Sequence, residues 1–264
     1  MNDFLEYGPG EGKAAPGKVK SALLAQAQQL RTRGRYVEAA GCYAEALTRE
    51  ETAFEAAVWR ADCLVRTSDR LQEAHDFLEK LLARFDRTAD LYAARAVVAL
   101  HEEDREAALS FSDVSLQYDA VLGYRHLARA EILLASAARH EHLLAFADLR
   151  RHLGPTPPVP ESVHAAVILQ RWGHAEPSLE WLEIAQMRDP DNAYIHILRG
   201  RARLALEDWD KARRAFGRAL ALDPACPEAK EGLAKLGFGT QFLQNLKVAC
   251  RDAMDWLKVL RGPS

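Results

Sequence analysis

The chain has 264 residues, 48% hydrophobic and 28% charged, with a net charge of −3 and a pI near 6.3. This is the composition of a folded protein, well away from disordered or collagen-like extremes. Lysine and arginine are interspersed with acids, so no basic stripe suits a phosphate backbone and nucleic acid is excluded as a partner; no run of about 18 apolar residues occurs, which excludes an integral membrane protein.

The N-terminus, Met1 to Tyr7, has neither a basic start nor a continuous apolar run and reads as neither secretory signal nor membrane anchor. Cys42, Cys63, Cys226 and Cys250 show no CxxC or metal-ligand spacing. Such sparse usage fits a reducing compartment, and a cytoplasmic protein is expected. Residues 1–17 contain Gly8-Pro9-Gly10 and Ala15-Pro16-Gly17 and read as a flexible leader, with structure expected from about Lys18.

From there the pattern is helix, short turn, helix. Turns are marked by Arg33-Gly34-Arg35, Ser68-Asp69-Arg70, Glu102-Glu103-Asp104, Arg139-His140-Glu141, Trp172-Gly173-His174 and Glu207-Asp208. A small residue recurs mid-helix at Ala27, Ala61, Ala96, Ala130, Ala166 and Gly200, at intervals of 34, 35, 34, 36 and 34. A second series runs through Ala39, Ala74, Ala108, Ser178 and Ala212, broken only by His142. A fixed period of this length means stacked units, each too small to bury its own apolar face. Such arrays offer extended surfaces.

In the last full unit Leu198, Gly200 and Leu204 share one helical face, and Trp209, Ala212, Phe216, Ala219 and Leu220 share the next. Asp223-Pro224 stops the second helix, as Asp189-Pro190 does 34 residues earlier, because proline lacks an amide proton and clashes with the preceding turn. These residues resemble the tetratricopeptide repeat family, whose pattern is W-x2-L-G-x2-Y, then A-x3-F, then P. Ala193 to Pro224 carries the pattern best; Ser21 to Arg49 is also good, through Ala27, Gly34, Tyr36, Ala39, Tyr43 and Ala46. The resemblance covers about residues 20 to 226. It departs at Ser112, where an aromatic is usual, and at His142, where a small residue is, so looser packing is expected there.

The resemblance implies an all-α, right-handed α-solenoid of about six helix-turn-helix repeats, with the array over residues 18–226. Residues 227–264 then hold a partial repeat and an amphipathic helix from about Thr240 to Leu260, expected to cap the array or to support self-association. Arginine replaces the usual leucine before the small residue at Arg60, Arg95, Arg129 and Arg199, where its stem can cover a helix junction while its head pairs with an acid on the neighbouring helix.

No nucleophile with a base, phosphate-binding glycine loop or paired-carboxylate motif is recognisable, so no enzyme and no cofactor is expected. His126, His140, His142 and His152 crowd the fourth unit, but metal would need three or four ligands to converge, and none is assigned. The resemblance places the groove three before, one after and four after each small residue. The first series is Leu24, Val58, Ala93, Leu127, Val163 and Ile197; the second is Gln28, Asp62, Val97, Glu131, Val167 and Arg201; the third is Arg31, Val65, Leu100, Leu134, Gln170 and Leu204. Relatives that hold the C-terminal carboxylate of heat-shock chaperones place Lys and Asn there, and this chain has neither. What remains is an apolar floor edged by Trp59, Tyr124 and Tyr194, with charge from Arg31, Asp62, Glu131 and Arg201. Such a floor suits a protein or peptide segment captured by a non-catalytic scaffold or adaptor. A chaperone-like factor shielding an amphipathic client, or an organiser using the C-terminal helix, is the alternative.

Overall fold

A computed structural model of the chain describes residues 16–49, 54–67, 69–85, 88–118 and 124–237. The expected C-terminal helix, Cys250 and residues 1–15 of the leader lie outside the described residues. Those described form helices and no strand. In chain order the helices are α1 Pro16–Thr32, α2 Tyr36–Arg49, α3 Phe54–Val65, α4 Leu71–Leu82, α5 Ala89–His101, α6 Arg105–Leu116 and α7 Tyr124–Leu134. They continue with α8 Arg139–Leu153, α9 Val159–Arg171, α10 Ala175–Arg188, α11 Ala193–Ala205 and α12 Trp209–Leu222. A further helix, α13, covers residues 227–237. The first helix thus begins two residues ahead of the expected Lys18.

The helices divide into two compact units, residues 1–148 and 149–264. In the first, each helix packs on the next from α1 to α6, and the odd-numbered helices also touch, α3 on α5 and α5 on α7. In the second, α9, α10, α11 and α12 pack in sequence and α9 meets α11. The odd helices are therefore the inner layer of each stack.

The periodic small residues set this packing. Ala27, Ala61, Ala96, Ala130 and Ala166 are buried, as are Ala39, Ala74, Ala108, Ser178 and Ala212. Sixteen residues after the first small residue of the first and last pairs stands a fully buried aromatic, Tyr43 or Phe216. In the last pair a Cβ on Gly200 would lie 2.6 Å from the Phe216 ring and one on Gly232 2.5 Å from it. Glycine there lets the aromatic sit against bare backbone.

Four of the turns share one hydrogen-bond scheme. The amides of Arg35, Asp104, His174 and Asp208 donate to the carbonyls of Leu30, Ala99, Leu169 and Arg203, closing the first helix of each pair. This needs a left-handed residue just before the donor, supplied by Gly34 and Gly173 and, at φ 65° and 57°, by Glu103 and Glu207. Asp104 and Asp208 then accept from the amides of Ala107 and Lys211 at the starts of α6 and α12. The fourth turn differs from the sequence expectation. Arg139-His140-Glu141 already belongs to α8, and the chain turns earlier, where Ser136 Oγ accepts from the Ala138 amide at 3.0 Å. Asp189-Pro190 and Asp223-Pro224 lie directly after α10 and α12.

Candidate functional site

The residues expected to line a groove separate by unit. In residues 1–148, Val58, Val97 and Leu127 are buried where α3, α5 and α7 stack. Trp59 meets Tyr124 edge to face, with ring centroids 5.0 Å apart, and the Arg31 guanidinium lies 3.6 Å from the centre of the Trp59 ring. Both contacts draw on the ring quadrupole.

Asp62 and Glu131 require a correction. Expected on a charged edge, they are 1% and 0% exposed, and Arg31 is 3% exposed. Their burial is tolerated because Arg66, the residue one turn after Asp62, bridges them. Arg66 Nη2 donates to Asp62 Oδ1 at 3.0 Å and to Glu131 Oε2 at 3.1 Å, while Nε donates to Asp62 Oδ2 at 3.2 Å. Tyr124 Oη donates to Asp62 Oδ1 at 3.2 Å, and His101 Nε2 sits 3.3 Å from Glu131 Oε1. Burial opposes the Arg66 charge, but the two carboxylates more than offset it and hold its pKa well above the usual value. Burial also pushes the Tyr124 phenol up, and Asp62 adds to the shift. The result ties α3, α5 and α7 together through charge.

In residues 149–264 the corresponding positions are more open. Val163 and Ile197 are buried beneath, Tyr194 is buried at the start of α11, Val167 and Leu204 are half-buried, and Arg201 is exposed. Gln170 fixes the two inner helices together, its Nε2 donating to the Leu198 carbonyl at 3.0 Å. Half-buried apolar side chains on α9 and α11 thus stand with an exposed cation, Arg201, on the same helix as Leu204.

The recurrent arginines do reach neighbouring helices. Arg60 pairs with Glu73 at 3.0 Å, Arg95 with Glu79 at 2.6 Å and Arg129 with Asp113 at 3.4 Å. Arg199 instead donates to the neutral Gln186 Oε1. His142, which interrupts the small series, hydrogen-bonds the Ser136 carbonyl at 2.6 Å. Cys63 and Cys226 are buried free thiols, and Cys42 is half-buried. Burial pushes the thiol pKa up in all three.

Two features escaped the sequence pattern. Arg66 carried a local signal, four residues after an acid on one helix face. The second is a basic cleft between α11 and α12 that includes Arg203, Lys211, Arg214 and Arg218. Its signal was the spacing of these cations by three or four residues on each helix.

Stacked antiparallel helix pairs with small residues at a common phase define an all-α helical-repeat protein. Residues 193–226 match the family model described as tetratricopeptide repeat, and helical hairpins of the same kind precede them, so the described residues have an all-α fold like that of tetratricopeptide repeat proteins. A tetratricopeptide repeat protein from Parabacteroides merdae is similar in fold, at 18% identity over 86% of each chain and a TM-score of 0.50. The Cut9–Hcn1 hetero-tetramer of the APC/C is similar at 11% identity over 82% of this chain and 42% of that one, with a TM-score of 0.51. No curated protein matches in sequence.

Proposed function

We propose that this chain is a non-catalytic protein-interaction scaffold or adaptor that captures a partner segment on the inner face of α9 and α11. The observation that supports this is the half-buried strip of Val167 and Leu204 above a packed floor of Val163 and Ile197, edged by exposed Arg201. An amphipathic or extended segment buries its apolar side on such a strip, while the arginine orients it through a carboxylate or carbonyl. Burying one leucine-sized anchor contributes about 1.5–3 kcal/mol, so two or three anchors supply about 3–9 kcal/mol before the entropic cost of association, and capture on this strip is weak and reversible.

A pull-down comparing the wild-type chain with the double variant Arg201→Gln, Leu204→Ala tests this. Arg201 is exposed and Leu204 half-buried, and an unchanged circular dichroism spectrum of the variant checks that the fold is retained. Loss of a wild-type partner from the variant is expected; equal recovery of every partner would overturn this surface as the site.

A further inference from the structure

The cleft formed by α10, α11 and α12 has a volume of about 470 Å³. His196, Arg199 and Arg203, which α11 contributes to it, lie roughly 130° around the helix from Ile197, Arg201 and Leu204. The cleft is therefore distinct from the inner strip. From α12 it takes Lys211, Arg214 and Arg218.

The charge of this cleft is unbalanced. Lys211 and Arg203 share Asp208, at 2.8 and 3.4 Å, and Arg218 meets Asp191 at 3.0 Å. Arg214 has no ion pair among the described residues. Arg199 is the telling member. Arg95 and Arg129 each pair with an acid 16 residues earlier on the preceding helix, Glu79 and Asp113. Glu183 stands at that offset from Arg199 but forms no hydrogen bond or ion pair with it, and the guanidinium is left on the Gln186 amide oxygen. Its Nε is shut in the interior without an acceptor. Burial accordingly pushes the Arg199 pKa down, Glu183 offsets this only in part, and Arg203 deepens it.

We propose that this cleft binds an acidic peptide segment, with Arg199 taking an incoming carboxylate in the role that Glu79 and Asp113 fill toward Arg95 and Arg129. The geometry favours a chain of carboxylates over a single small anion. Arg199 and Arg203 are one turn apart on α11, and Lys211, Arg214 and Arg218 stand at successive turns of α12. Cations thus repeat about every 4.5–6 Å along each helix, within side-chain reach of the spacing of about 7 Å between same-side residues of an extended peptide. Guanidinium forks bind carboxylates bidentately, and several cations around one concave cleft add to the attraction that a single surface cation gives. The proposal rests on the chain being a protein-interaction module, but it uses a different surface from the inner strip.

The test is fluorescence anisotropy with fluorescein-labelled hexaglutamate, hexaglutamine as the comparator and inorganic pyrophosphate as competitor, at low salt and at about 150 mM. The wild-type chain is expected to bind hexaglutamate, more weakly at the higher salt, and not hexaglutamine. Lys211→Gln with Arg214→Gln, both exposed and neutral to the fold, is expected to weaken binding about tenfold or more, and Arg199→Gln to do likewise. The Arg201→Gln, Leu204→Ala variant should bind hexaglutamate as the wild type does, which separates this cleft from the inner strip. Equal binding of the two peptides, unchanged affinity in the cleft variants, or binding of pyrophosphate without hexaglutamate would each overturn the proposal.

Discussion

Replacing Arg66 with methionine keeps the buried stem but removes the guanidinium that Asp62 and Glu131 share at 3.0 and 3.1 Å. The Asp62 and Glu131 side chains are 0% exposed, so water cannot take over the lost donors. Breaking a buried pair by removing one partner costs about 3–5 kcal/mol, because a desolvated charge stays behind. Against a typical domain stability of about 5–15 kcal/mol this is a large fraction. For a unit of 148 residues it corresponds to a fall in Tm on the order of 10 °C. Urea denaturation followed by circular dichroism at helix wavelengths measures it directly. Adding Asp62→Asn and Glu131→Gln to Arg66→Met should recover much of the loss, since neutral groups of the same shape tolerate burial better. A loss below about 1 kcal/mol for Arg66→Met, the usual worth of an exposed pair, would refute the claim that these charges are locked in the core.

Three more outcomes follow from the second unit. Gly200→Ala should destabilise it by about 1–3 kcal/mol in a melt, because the new Cβ would lie 2.6 Å from the enclosed Phe216 ring and the gain in helix propensity of about 1 kcal/mol does not offset the overlap. Glu207→Gly should raise stability by a few tenths to about 1 kcal/mol by relieving the left-handed φ of 57°, and a Tm that falls would contradict this. His196 is buried with Nε2 donating to the Pro190 carbonyl at 3.0 Å, and burial lowers its pKa below the usual 6.5 despite that bond. The unfolded chain therefore binds the proton first, so stability is lost as pH falls below about 6.5 toward the folded pKa and changes no further beneath it. His196→Gln should flatten that slope between pH 7 and 5, and an identical pH profile for the variant would refute it.

How much of this the sequence carried depends on the range of the interaction. The phase of the small residues is a local property of each helix, so Ala27 to Gly200 placed the inner helices, while Asp189-Pro190 and Asp223-Pro224 placed the ends of α10 and α12 on the other layer. The turn before α8 was missed because Ala135-Ser136-Ala137-Ala138 reads as helix-forming sequence; Ser136 closes it through a side-chain acceptor. Phase also tells which way a residue faces but not how deeply it lies. Asp62 and Glu131 face the inner side as expected, yet they are sealed there because Arg66 meets Glu131 across 65 residues, a pairing that exists only once α3 and α7 are brought together. The basic cleft was hidden for a related reason. Each of its cations looks like an ordinary solvated helix residue until α11 and α12 set them around one cavity.

The central claim, that a partner segment lies on the inner face of α9 and α11, is tested most directly by site-specific photocrosslinking. A photoreactive residue placed at Arg201 or Val167 should join the chain to a partner protein, whereas one at Met187, exposed on α10 away from that strip, should not. Crosslinks from Met187 with none from the inner positions would contradict the account.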